Sequence, residues 1–272
     1  MRFIQTLINE ILLAGTVLLL LFTVLMGSTN HFPFNDFYWL KADTSSIRGA
    51  PNESAWTFWG VCNVNDYSLC SLGPAYPISP VDNFSTTRNV PKKFVTNRDT
   101  FYYLTRFSFA FLIISLCFSA IALIIDILGF CFLIIDFVVI FLIMVALFFL
   151  AALAAFQTAA AVLAKNAFQD ANLSAKVGLK SMAILWAAVV CLGLVFLNTL
   201  WANILNSYQK HMSRVRASTT QEPIPVEQSG PVADDSSFTR STPAAPETKE
   251  DGGGIRFFKI KRNHKTSDEE SV

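Results

Sequence analysis

Between Phe107 and Ala164 the sequence contains no Lys, Arg or Pro, and its apolar run is interrupted only by Asp126, Asp136, Gln157 and a few hydroxyls. No water-facing stripe of 3.6-residue period can be drawn through such a segment, which excludes a soluble amphipathic helix. A bilayer core of roughly 30 Å takes about 20 apolar residues per spanning helix. The segment is therefore one hairpin of two membrane helices, with its break near Asp126, Gly129 and Asp136. Arg106 and Lys165, at its two ends, then lie on the same side of the membrane.

Two further apolar runs complete the set, Leu7–Met26 before the hairpin and Ser181–Leu205 after it. With 53% hydrophobic residues gathered in blocks, the chain reads as a multi-pass membrane protein. The first run is read as an uncleaved helix; a cleaved signal peptide, the alternative, would leave the later spans where they are. Lys210, Arg214 and Arg216 follow the last run closely, and by the positive-inside rule they place the C-terminal tail in the cytoplasm. The resulting organisation is a cytoplasmic N-terminus at residues 1–6, spans at 7–26, 106–128, 136–164 and 181–205, outer loops at 27–105 and 165–180, a short cytoplasmic turn at 129–135, and a cytoplasmic tail at 206–272. Acceptor patterns for N-glycosylation occur at Asn52, Asn83 and Asn172, all in segments assigned outside, and Asn52 and Asn83 are the expected sites.

In the first outer loop, Trp56–Cys62 reads as a strand, and Asn63–Asp66 as the turn of a hairpin whose second strand contains Tyr67–Cys70. Cys62 and Cys70 can face each other across it, and closing so short a loop stabilises by about 2.6 kcal/mol in the chain-entropy model. The run Pro74–Pro80 is too rich in proline for a central strand and is expected to extend over the domain surface. Trp39, Trp56 and Trp59 are expected to pack against the hairpin and the membrane interface rather than to stack on sugars. Cys117, Cys131 and Cys191 read as small core residues of the apolar runs.

Within the spans, Ala151, Ala155 and Ala159, and Ala183, Ala187 and Gly193, are candidate close-packing seams. Asp126 and Asp136 count as solvated turn residues at the cytoplasmic interface rather than a proton relay, and Gln157, Asn198 and Asn203 as interhelical hydrogen-bonding candidates. The tail from Ala217 to Gly254 has the composition of a disordered segment. Beyond it, residues 255–265 interleave Arg256, Lys259, Lys261, Arg262 and Lys265 with Phe257 and Phe258, a pattern suited to anionic inner-leaflet lipid. Thr266, Ser267 and Ser271, beside Asp268, Glu269 and Glu270, are phosphorylation candidates that would weaken that contact.

The sequence carries no Cys/His cluster at metal spacing, no GxSxG and no phosphate-cradling glycine loop, so neither an enzyme, nor a cofactor, nor a metal is expected. A formal net charge of +1 gives no reason to expect a nucleic-acid partner. The motif Trp56-x-x-Trp59-Gly60-x-Cys62 with Cys70 and the Pro74–Pro80 run, set before three more membrane helices, resembles the fungal Sur/PalI family. The likeness covers the whole chain coarsely and is sharpest over residues 56–84. It implies an all-α membrane protein: a claudin-like four-transmembrane-helix bundle with a small extracellular β-hairpin or sheet domain and a disordered cytoplasmic tail. It further implies a non-catalytic, organising role in eisosome-associated patches of the plasma membrane, with effects on cell-wall organisation, endocytosis and stress response. Expected partners are the bilayer, anionic inner-leaflet lipids, and further copies or other membrane-domain proteins. A transporter or channel subunit and a PalI-like sensor of ambient conditions are the competing expectations.

Overall fold

The computed structural model describes residues 2–29, 31, 34–129 and 135–219. The basic-aromatic segment and the phosphorylation candidates, with most of the tail, lie outside the described residues, as does Cys131.

Four long helices form the bundle: α1 (Arg2–Leu25), α4 (Arg98–Gly129), α5 (Ile135–Gln169) and α6 (Leu179–Thr219). Each contains a stretch long and apolar enough to cross a membrane. Leu18, Phe137, Phe148 and Leu197 are all more than 60% exposed on the outside of the bundle, where only lipid can cover them without cost. The chain is a multi-pass membrane protein. The two arms of the expected hairpin are α4, described to Gly129, and α5, described from Ile135, and the residues between them lie outside the described ones.

The helices outrun the apolar runs. α4 begins at Arg98 rather than near 106, α5 continues to Gln169, and α6 extends to Thr219. Apolarity marks where a helix meets lipid, whereas the helix itself stops only where its backbone finds another partner. The projecting turns carry aromatic residues into the sheet domain: Phe101 of α4 and Phe168 of α5 both close on Phe94, at 4.6 and 4.9 Å between ring centroids. Phe94 belongs to the short helix α3 (Lys92–Thr96).

The loops α1–α4 and α5–α6 build a five-stranded antiparallel sheet from β1 (Leu40–Asp43), β2 (Glu53–Trp56), β3 (Gly60–Asn63), β4 (Asp66–Leu72) and β5 (Ala175–Val177), in the order β4-β3-β2-β1-β5. This corrects the reading of Trp56–Cys62 as one strand: β2 ends at Trp56, and the chain reverses through Thr57–Trp59 before β3. Thr57 makes that reversal, its Oγ1 accepting from the Trp59 N–H and its own N–H donating to the Gly60 carbonyl. The sheet also draws in β5 from the loop between α5 and α6, with Leu40 opposite Val177 and Ala42 opposite Ala175. The proline-rich run does not stay on the surface either: Ile78, Ser79 and Pro80 are buried, and Pro80 opens the short helix α2 (Pro80–Asn83).

Inside the bundle the seam differs from the expected one. On α5 the buried positions include Ala146, Leu150, Leu153, Ala154, Ala160, Ala161 and Ala164, while Ala151 and Ala155 face outward. Ala183 and Ala187 of α6 likewise face outward. Cys117 is exposed rather than a core residue. Of the polar candidates, Asn198 donates to Asn9 of α1 at 2.6 Å, an interhelical bond. Asn203 bonds within its own helix, to the Thr199 carbonyl, and the buried Gln157 Oε1 has no partner among the described residues. Asp126 lies in the last turn of α4, where it meets Glu10 of α1 rather than standing in a solvated turn. Asp136 lies in the first turn of α5.

Candidate functional site

The Trp-x-x-Trp-Gly-x-Cys motif occupies the corner where the sheet rests on the helices, and each of its residues has a separate mechanical task. Trp56 is fully buried, and its Nε1–H donates to Asn83 Oδ1 at 2.7 Å, which fixes α2 to the sheet. Its ring meets Phe168 at 5.8 Å and Phe84 at 6.4 Å, linking the sheet to α5. Trp59 donates to the Val24 carbonyl at 2.5 Å, so an indole satisfies one of the carbonyls that the end of α1 leaves without an intrahelical partner. Its ring also stands edge-on to Phe109 of α4 at 5.6 Å. Trp39, on the neighbouring turn, is 1% exposed and packs on Phe58. Trp39 and Trp56 are therefore packing residues, as expected, and neither offers a face to a sugar.

Gly60 is required by proximity. A Cβ there would stand 2.3 Å from the Ser71 carbonyl oxygen of β4, a backbone atom that cannot turn aside. This approach brings Cys62 opposite Cys70 in the β3–β4 register, with Cα atoms 4.1 Å apart, and the two are disulfide-bonded. Replacing both cysteines by serine should cost about 2.6 kcal/mol of stability and leave the helices intact, measurable as a lower unfolding midpoint with unchanged helical circular dichroism.

A second anchor lies beside α2. Arg98 holds Asp82 in a fork of hydrogen bonds, and Ser79 Oγ donates to the same carboxylate. Burial alone would raise the Asp82 carboxyl, but the Arg98 and Ser79 hydrogen bonds and the charges of Arg98 and Arg106 outweigh it and hold it below its ordinary value. Lys93 pairs with Asp170, tying α3 to the turn after α5.

Of the two expected glycosylation sites, Asn52 is exposed, whereas Asn83 is half-buried with its carbonyl held by Trp56. The structure thus brings Asn83 together with Trp56, and Cys62 with Cys70, and leaves Asn52 apart from both. Of the lysines around β5, Lys165 was singled out from the sequence only as an end of the helical hairpin, and Lys176 and Lys180 not at all. Their clustering depends on pairing between strands more than 130 residues apart, and the only local signal is three lysines in the short stretch 165–180. No group of His, Cys, Asp or Glu that could hold a metal ion occurs among the described residues.

The sequence profile of the SUR7/PalI family matches residues 5–198, a range that includes the first three spans, the sheet domain and the first part of the fourth span. Among similar proteins, Protein SUR7 of Candida albicans is 60% identical over the full length of both chains. Protein SUR7 of Saccharomyces cerevisiae is 37% identical over 96% of this chain and 95% of its own. A further Saccharomyces cerevisiae relative, named as a plasma membrane protein, is 27% identical over 82% of this chain and 78% of its own.

Proposed function

This chain belongs to the SUR7/PalI family, and from that we propose that it is a non-catalytic organiser of a static plasma-membrane domain of the eisosome type. The observation that carries the reading is the way the sheet is joined to the bundle. β1 lies between β2 and β5, so the two outer loops form one sheet, and Trp56, Trp59 and Phe168 fasten that sheet to α1, α2, α4 and α5. A protein that must move a substrate needs parts that rock against one another. This one joins its helix ends through a stapled platform, which suits a part that sets spacing in a membrane.

We place the sheet on the outer side and both termini in the cytoplasm. The Cys62–Cys70 disulfide supports this, because disulfides persist in oxidising compartments, as do the basic residues after α6. On that side Asn52 is the favoured glycan acceptor. Glycosidase should raise the gel mobility of the native protein and leave an Asn52→Gln variant unchanged; an equal shift in both would move the glycan elsewhere. On the inner side the basic-aromatic segment at 255–265 acts as a reversible contact with anionic lipid, weakened by phosphate on Thr266, Ser267 or Ser271.

Imaging a fluorescently tagged copy in living cells tests the organising role. Discrete patches along the plasma membrane are expected, and an internal or uniform signal overturns it. A transporter or channel subunit is the second reading, favoured by the polar contacts Asn9–Asn198, Asn9–Thr199 and Glu10–Asp126 between α1, α6 and α4. It gains if flux across proteoliposomes depends on Asp126.

A further inference from the structure

A groove of about 830 Å³ opens along the free edge of β5, where α5 ends and α6 begins, and its rim includes Asp36, Tyr38, Lys165, Gln169, Lys176 and Lys180. Its charge is unbalanced. Asp36 is the only acidic residue on the rim and already faces Lys180 at 3.4 Å, while no carboxylate among the described residues pairs with Lys165 or Lys176. The strand register adds to the imbalance. Lys176 stands directly opposite Lys41 across the β1–β5 pair, a like-charge arrangement that costs stability. Lys41 has its own partner, Glu53 at 3.1 Å, and Lys176 has none among the described residues.

The groove also lies at a particular depth. The apolar run of α5 ends at Ala164, beside Lys165, that of α6 begins at Ser181, and Leu179, in the first turn of α6, is 80% exposed in the lining of the groove. Leu179 is the exposed apolar side chain of the lining that a lipid tail or glycerol backbone would cover, and the lysines of the same lining are what a phosphate would meet. The wall between them is held rigidly, because Gly178 packs its Cα against the Tyr38 carbonyl and Ser181 Oγ donates to that same carbonyl at 2.8 Å.

We propose that this groove binds the anionic phosphodiester headgroup of a lipid in the leaflet on the sheet side, with Lys165 and Lys176 as the phosphate contacts and Leu179 against the glycerol. The inference requires only that α5 and α6 cross the bilayer and is independent of the organising role. A net-negative headgroup is favoured over a zwitterionic one because two cations are left without partners, and a lipid over a free anion because the floor of the site is apolar.

The test uses the full-length chain purified in detergent, with Arg256, Lys259, Lys261, Arg262 and Lys265 changed to Ala so that the tail does not contribute. Native mass spectrometry would follow retention of phosphatidylglycerol, of phosphatidylcholine with the same acyl chains, and of inorganic phosphate alone. One phosphatidylglycerol should be retained per chain, with at least tenfold less phosphatidylcholine and no competition from millimolar phosphate. The Lys165→Gln, Lys176→Gln pair should lower retention about thirtyfold, since each lysine beside an anionic headgroup gains about one tenfold step or slightly less. The Lys165→Arg, Lys176→Arg pair should retain the lipid. Equal retention of both lipids by the parent chain, or undiminished retention by the glutamine pair, would overturn the site. Displacement by inorganic phosphate would overturn the assignment to a lipid. The comparison of lipids on the parent chain needs no substitution in the groove or elsewhere among the described residues.

Discussion

Replacing Gly178 by alanine should detach the loop between α5 and α6 from the sheet and lower stability by about 3 kcal/mol or more. An added Cβ at Gly178 would lie 1.7 Å from the Tyr38 carbonyl oxygen and 2.8 Å from its carbon, both backbone atoms of the chain leading into β1. Ordinary overpacking by a flexible side chain costs about 1–3 kcal/mol because something can turn aside. Here relief requires separating the strands, which breaks the bond from the Gly178 N–H to the Trp39 carbonyl and puts at risk the one from Ser181 to Tyr38. Hydrogen exchange should show the amides of β1 and β5 losing protection together while β2–β4 keep theirs. Unchanged protection in β1 would mean that the junction can relax without cost.

Trp56→Ala should be comparably severe, costing about 3–5 kcal/mol, the range for emptying a fully buried aromatic site. Trp56 is 0% exposed and stands between Phe84 and Phe168, so its removal separates the sheet from α2 and α5 together. Trp56→Phe divides the effect. It keeps most of the ring contacts and leaves Asn83 Oδ1 without its donor, so the loss should fall to about 1–3 kcal/mol, the cost of a polar group stranded in a part-buried site. Unfolding midpoints of the two variants measure the division. A phenylalanine variant as unstable as the alanine one would assign the whole effect to the hydrogen bond.

Much of the architecture was legible in the sequence because lipid is an undiscriminating solvent. Between Phe107 and Ala164 an apolar run without a polar stripe and long enough for two crossings implied a helical hairpin, and α4 and α5 are its two arms. The disulfide was legible because Cys62 and Cys70 flank a recognisable turn. The sheet was only half visible. β1 and β5 are four and three residues long, too short for periodicity to identify, and β5 becomes a strand only because β1 lies beside it. Trp56–Cys62 has the composition of one strand, and the reversal in it comes from side-chain hydrogen bonds of Thr57, which composition does not encode. The seam on α5 was misplaced for a related reason. Alanines occupy nearly every face of that helix between residues 151 and 164, so small size could not select one, and the choice fell to what α4 and α6 present. Gln157 shows the same limit: polarity suggested a partner across the bundle, yet packing buries its Oε1 without one among the described residues.

The central claim is that this is a static organiser of the plasma membrane, its sheet rigidly joined to its helices. Photobleaching of the tagged protein in living cells tests that claim most directly. A bleached patch should stay dark for minutes, with its neighbours unchanged. Complete recovery within seconds, at the rate of a freely diffusing membrane protein, would contradict the account.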